Sequence, residues 1–270
     1  MNSPSHVFDQ AVSLRLVSTG VFSGQTSPAY QNMVGPFGGV TGATLLNAVL
    51  SHDELLGEPI SLTVHFAAPI AEGEFEARAR PIRTNRSSQH WFAELVQGEE
   101  VVAFATAVTA RGRDTWSTTD ASFPEVPPAE EVKQTPMRQG APVWTRCYDM
   151  RFIEGALGGQ PSENHPSESL LWMRDEPPRP LDYLSLAALC DVFFPRIYIR
   201  RPKLVPIGTV ALTTYFHADA EQLRELDTAH VLGHARGLHF GNGFFDQSAE
   251  VWSADGRLLA TSHQVVYFKE

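Results

Sequence analysis

The chain has 270 residues, 43% of them apolar and 19% charged, a balance that fits a packed globular protein and excludes wholesale disorder. A length of this order holds one large domain or two of ordinary size. The net charge of −10 excludes nucleic acid as the main partner, because binding a phosphate backbone needs a surplus of Lys and Arg, but it leaves room for a small phosphorylated ligand at a local basic cluster.

The N-terminal run MNSPSHVFDQ has neither the basic nor the apolar segment of a signal peptide. No apolar run approaches the roughly 18 residues of a membrane span. The expectation is a cytoplasmic protein without a membrane partner. Residues 36–52, PFGGVTGATLLNAVLSH, carry no charge between Phe37 and His52. A helix with no polar face is a buried helix. Four strand-like runs follow, PISLTVHFAAPI, GEFEARARPI, SQHWFAELVQ and VVAFATAVTA, set apart by turn residues and rich in β-branched and aromatic side chains. Residues 111–142 are rich in Pro, Ser, Thr and acid and lack any period, so they read as a linker lying over a surface.

The second half repeats the plan. A strand pair, CYDMRFIEG and ESLLWMRD, precedes a second apolar helix over 178–194, PRPLDYLSLAALCDVFF. The strands IGTVALTTYFHA, AHVLGHARGLHF, GFFDQSAEVWSA and LLATSHQVVYFK then close the chain. One helix followed by an antiparallel meander, twice, is an internal repeat. Each helix must be wrapped by its own sheet, which is the hotdog arrangement. The expected class is therefore α+β, a double hotdog, with a first repeat over 1–110, the linker over 111–142 and a second repeat over 143–270; two unrelated α+β domains are the alternative. Long strand edges and a broad sheet face need covering, so a homo-oligomer, a dimer or higher, is expected.

Asp191 is the most informative residue. It falls near the end of the second helix, on the face of Leu181, Leu184 and Ala188. A carboxylate among apolar residues is costly unless it is paired or used, and desolvation raises its pKa. The alternative is an exposed acid on a fraying last turn, where the helix dipole disfavours it. Asp182, in the first turn, reads as a capping residue. Gly38 and Gly39 open the first helix, whose free N–H groups suit a developing oxyanion; tight helix–sheet packing explains them equally well. Arg196, Arg200, Arg201 and Lys203 crowd the run PRIYIRRPK. Arg200 and Arg201 are candidates for the phosphates of a nucleotide-bearing substrate, against the alternative of a solvated loop. Asn164 and His165 are candidates for a substrate entrance. His217 is read in one strand and His234 and His239 in another, in core or surface roles. Cys147 and Cys190 show no CxxC or Cys/His spacing and read as small apolar residues in a reducing compartment. No metal and no other cofactor is expected.

Asp191 within AALCDVFFP, Thr209 within GTVALTTYFHA, Gln264 within LLATSHQVV and the FGG that opens the first helix occur in an order that resembles the TesB-type acyl-CoA thioesterases (acyl-CoA thioesterase II). The resemblance runs from about Val21 to the C-terminus and is weakest in the linker. It implies a double hotdog acting on acyl-CoA, with Asp191, Thr209 and Gln264 holding and activating a water. The chemistry agrees: a carboxylate serves as general base, while a hydroxyl and an amide orient the water without competing for its proton. A hotdog hydratase and a non-catalytic acyl-CoA binding module remain open, although the Asp-x-Asn-Pro-x-His run of the hydratases does not occur.

The repeats can be laid on each other. Matching VHFAAP with YFHADA places Phe66 on Phe216 and Pro59 opposite Thr209. Matching EEVVAFATA with GRLLATSHQ places Val102 on Leu259 and Ala107 opposite Gln264. The first repeat then offers only Asn47 and His52 near the place of Asp191, so one catalytic site per chain is expected.

Overall fold

The computed structural model describes residues 6–136, 139–158, 167–201 and 203–270; Asn164 and His165 lie outside them. The first repeat holds α1 (Val7–Ala11), β1 (Arg15–Ser18), β2 (Val21–Gln25), α2 (Gly38–Leu50), β3 (Glu58–Phe66), β4 (Glu74–Thr84), β5 (Ser88–Gln97) and β6 (Glu100–Ala110). The second holds β7 (Tyr148–Glu154), β8 (Ser169–Asp175), α3 (Tyr183–Leu189), α4 (Arg196–Arg200), β9 (Ile207–Phe216), α5 (Ala220–Leu226), β10 (Val231–Arg236), β11 (Phe240–Gly241), β12 (Phe244–Trp252) and β13 (Leu258–Phe268). Among the described residues no helix is long and apolar enough to cross a membrane.

All the strands join one antiparallel sheet in the order β1-β2-β4-β5-β6-β3-β9-β13-β12-β10-β8-β7, with β11 paired to β12. Alternation decides which face turns inward: Trp91, Ala93 and Leu95 of β5 and Leu62 and Val64 of β3 are buried. Each half of the sheet curls around one helix, α2 or α3, and the two helices pack on each other. This is a double hotdog. The main apolar core runs through both repeats.

The repeats meet at the pairing of β3 with β9, where Thr63 lies opposite Thr213 and the register is symmetric about that pair. The two hydroxyls lie 3.0 Å apart. Superposing Thr63 on Thr213 also lays Phe66 on Phe216 and Pro59 on Thr209. Each strand carries a bulge at the matching place: the β3–β6 register skips Ile60 and the β13–β9 register skips Val210. Leu62 faces Ala107 and Leu212 faces Gln264, so the alignment of the repeats holds in space.

One reading needs adjustment. The second helix is shorter than 178–194: Asp182 caps it, accepting from the Ser185 N–H at 2.8 Å, and it ends before Asp191. Residues 111–136 run over the second repeat. Phe123, Val126, Ala129 and Val132 pack on Trp172, Leu232 and Trp252 of the second repeat, and Trp172 Nε1 donates to the Pro127 carbonyl at 2.9 Å. His234 is in β10, whereas His217 and His239 fall just outside strands.

Candidate active site

The site forms where the start of α2 meets the turn that follows α3. That turn is held from several sides. The Asp191 N–H donates to the Ala188 carbonyl at 3.0 Å, Ser262 Oγ of β13 donates to the Cys190 carbonyl at 3.2 Å, and Val192 and Phe193 are buried. The carboxylate is thereby aimed at α2. A Cβ added to Gly38 would sit 2.7 Å from Asp191 Oδ2. A Cβ at Gly39 would sit 2.7 Å from the Ala188 carbonyl oxygen. Glycine is thus required at both positions by the approach of the second repeat. The first intrahelical bond runs from the Thr41 N–H to the Phe37 carbonyl, so the preceding N–H groups have no partner within the helix and present the positive end of its dipole to Asp191.

Thr209 and Gln264 complete the arrangement. The bulge at Val210 turns that side chain out to solvent and swings Thr209 onto the inner face that Gln264 shares, a change of aim that an extra strand residue permits. Thr209 Oγ1 donates to Gln264 Oε1 at 3.2 Å. With its oxygen engaged, the amide turns its other end to Asp191, and Nε2 donates to Oδ1 at 3.3 Å. The structure therefore brings Asp191, Thr209, Gln264, Gly38 and Gly39 together.

Burial pushes the Asp191 carboxyl up to about 7; the Gln264 amide and the Gly39 backbone N–H favour the charged form and pull against it. Asp191 nevertheless keeps some solvent access, as a group that meets water must. The adjacent Cys190 is fully buried and its thiol is pushed up to about 12, which leaves it unreactive at neutral pH.

The matching place in the first repeat is filled. Pro59 and Ala107 stand where Thr209 and Gln264 stand in the second, and both are buried. Tyr183 occupies the α3 counterpart of Gly38. Its ring packs edge-on against Phe216 with centroids 5.6 Å apart, as Phe66 lies against Gly38. Its hydroxyl donates to Glu58 Oε2 at 2.8 Å. Asn47 and His52 have structural tasks: Asn47 Nδ2 donates to the Val12 carbonyl at 2.8 Å, and His52 packs edge-on against Trp91.

The basic run divides. Arg196 is fully buried and donates to Ser169 Oγ at 2.8 Å and to the Phe194 carbonyl at 3.0 Å, so it holds structure. Arg200 closes α4, Arg201 pairs with Glu270, and Lys203 is exposed. Sequence reasoning missed the aromatic group behind the site, Phe37, Trp144, Tyr148 and Tyr30. These residues are distant in sequence and belong to both repeats. It also missed the buried Asp175, which accepts from Ser185 Oγ and which burial raises to about 6.

Comparison with known proteins matches the chain to a family. Residues 27–110 match the family model described as the acyl-CoA thioesterase N-terminal domain, and residues 120–268 match that of the C-terminal domain. None of the curated proteins compared matches the chain. Among solved structures, a conserved protein of unknown function with a hot dog fold from Alicyclobacillus acidocaldarius is 47% identical, with a TM-score of 0.94 over 98% of this chain and 99% of that one. A putative thioesterase II from Thermobifida fusca has a TM-score of 0.84 at 19% identity, over 99% of each chain. An acyl-CoA thioesterase II, TesB2, from Mycobacterium marinum has a TM-score of 0.76 at 16% identity, over 97% of this chain and 98% of that one. The last two, at such low identity, speak for the fold alone, but the two domain models together span most of the sequence. The chain belongs to the acyl-CoA thioesterase family.

Proposed function

We propose that the protein hydrolyses acyl-CoA thioesters to the free acid and CoA, with Asp191 as general base. The observation that carries this reading is the chain of hydrogen bonds from Thr209 through Gln264 to Asp191, a carboxylate raised to about 7 at the mouth of a helix. Ionised Asp191 takes a proton from a water oriented by Gln264, with Thr209 fixing which end of the amide faces it. The water oxygen bonds to the thioester carbon, and the carbonyl oxygen becomes an oxyanion facing the N–H groups of Gly38 and Gly39. Protonation of Asp191 weakens its hold on the Gly39 N–H at the moment the oxyanion needs that donor. Collapse breaks the C–S bond, and the thiolate of CoA takes the proton from Asp191. Every proton is accounted for without a further group. A positioned base contributes about 10²–10⁴-fold and each oxyanion donor about 10²–10³-fold.

In this reading Arg200 and Arg201 meet the phosphates of CoA, the first repeat covers 1–110, the linker 111–142 and the second repeat 143–270, and the protein works in the cytoplasm. Tyr183, Pro59 and Ala107 support one site per chain. Ile60, Val210, Tyr215 and Val265 are exposed near the junction of the repeats and support association of copies into a dimer or higher oligomer; sizing that gives a monomer at micromolar concentration would contradict this. The test of the activity is thiol release from a panel of saturated and 2-enoyl CoA esters. Free CoA from saturated esters is the expected result. Loss of the enoyl absorbance without thiol would mean a hydratase, and tight binding without turnover a binding module.

A further inference from the structure

The residue before α2 is held in an uncommon way. Helix starts are ordinarily fixed by a polar cap, but Phe37 makes no side-chain capping bond. Its ring instead stacks on Trp144, with centroids 4.2 Å apart and planes at 11°, and the two are 2% and 6% exposed. Tyr148 closes edge-on against both rings. Trp144 comes from the other repeat, in the turn Val143–Cys147 that leads into β7. That turn is tied back to the first repeat, because the Trp144 N–H donates to the Gln31 carbonyl at 3.3 Å and Cys147 Sγ to the Ala29 carbonyl at 3.3 Å. There is no slack between the stack and the helix: a Cβ at Gly39 would lie 2.5 Å from the Phe37 ring. Moving the ring moves the first turn of α2.

We propose that Trp144 is a positioning residue for hydrolysis: stacked on Phe37, it sets where the Gly38–Gly39 turn of α2 meets the Asp191 carboxylate. The inference rests on the reading of Asp191 as general base. It makes the start of the second repeat part of the site, since the residue that aims the first repeat's helix is supplied by the second. Without the stack, the first turn relaxes and the Gly39 N–H withdraws from the carboxylate. A hydrogen bond to the charged form lowers a carboxyl pKa, so its loss raises the pKa. The acid limb of the rate profile then moves to higher pH.

The test compares Trp144→Leu, which keeps apolar bulk but loses the stack, with Trp144→Phe, which keeps both. Turnover of an acyl-CoA is followed from about pH 5 to about pH 9. The expected result for Trp144→Leu is a kcat lowered about tenfold or more, with KM within about threefold of wild type. Its acid limb should move up by about half a pH unit or more. Trp144→Phe should restore rate and profile. An unmoved acid limb in Trp144→Leu, or a Phe variant as impaired as the Leu variant, would overturn the inference. Should Trp144→Leu fail to fold, Phe37→Leu breaks the same stack from the other side with the same expected profile; failure of both to fold would assign the stack to stability and overturn the inference too. Asp191→Asn separates the two layers. Substantial turnover in that variant removes the general-base reading itself, whereas an inactive Asp191→Asn beside an unmoved limb in Trp144→Leu defeats only the role of Trp144.

Discussion

Gly38→Ala adds one methyl group where the start of α2 meets the Asp191 carboxylate. The new Cβ would lie 2.7 Å from Asp191 Oδ2 and 3.3 Å from the Phe66 ring, so either the carboxylate or the start of α2 must move by several tenths of an ångström. Overpacking of this kind destabilises by about 1–3 kcal/mol, offset in part by the gain of about 0.5–1 kcal/mol from replacing a helical glycine. The net loss of about 1–2 kcal/mol lowers Tm by only about 2–6 °C for a chain of this size. Turnover is far more sensitive, because a displacement near 1 Å in a site of this kind lowers the rate by about 10²-fold. Gly42→Ala is the control. It lies on the same helix, and its Cβ would meet nothing closer than Val64 at 3.5 Å, an ordinary contact, so it should keep full turnover and gain slightly in stability. Thermal melts and steady-state hydrolysis of the same acyl-CoA decide the matter. A Gly38→Ala enzyme with more than about a third of wild-type turnover, in a well-folded state, would refute the placing of Asp191 against α2 as the reacting geometry.

Asp191→Asn should stabilise the protein in alkali: a carboxyl raised from 3.8 to about 7 contributes stability present below its ordinary pKa and lost as pH rises through about 7. The difference in unfolding free energy between variant and wild type should therefore widen from pH 5 to pH 8, by an amount on the order of 2–4 kcal/mol, and a constant difference would contradict it. Arg200→Ala with Arg201→Ala should raise KM for CoA esters about tenfold and flatten its dependence on salt, with little change for short thioesters that lack the nucleotide; an equal effect on both classes would make the pair structural. Titration with a non-hydrolysable acyl-CoA analogue should saturate at about one equivalent per chain, and two equivalent tight sites would defeat the reading of Tyr183 as the filler of the second place.

Much of this fold is legible in the chain because antiparallel strands half-buried on one face alternate visibly. The run read as SQHWFAELVQ is β5, Ser88–Gln97, without adjustment, and the two repeats align through Phe66 and Phe216 in the register the sheet adopts. The second helix is over-read because apolar content marks burial and not conformation: Val192 and Phe193 are buried in a turn rather than on a helix. Asp191 stands out as an acid among apolar neighbours. Thr209 and Gln264 do not, since polar residues on strands are ordinary, and only the resemblance to a family selects them. The inward aim of Thr209 depends on a bulge at Val210 that no alternation pattern reveals. Arg196 shows the same limit: a cation in a basic run is indistinguishable by composition from one that is fully buried on carbonyl and hydroxyl oxygens. The stack of Phe37 on Trp144 joins a helix start in the first repeat to the beginning of the second, and no local period carries such a contact.

The central claim is that Asp191 activates the water that cleaves the thioester, and the release of free CoA by Asp191→Asn beside the wild type, both folded, at a pH above 7, tests it most directly. The account predicts that the variant still binds a non-hydrolysable acyl-CoA with near-wild-type affinity while its kcat falls by about 10²–10⁴-fold. A folded Asp191→Asn enzyme that releases CoA at a rate close to wild type would contradict it.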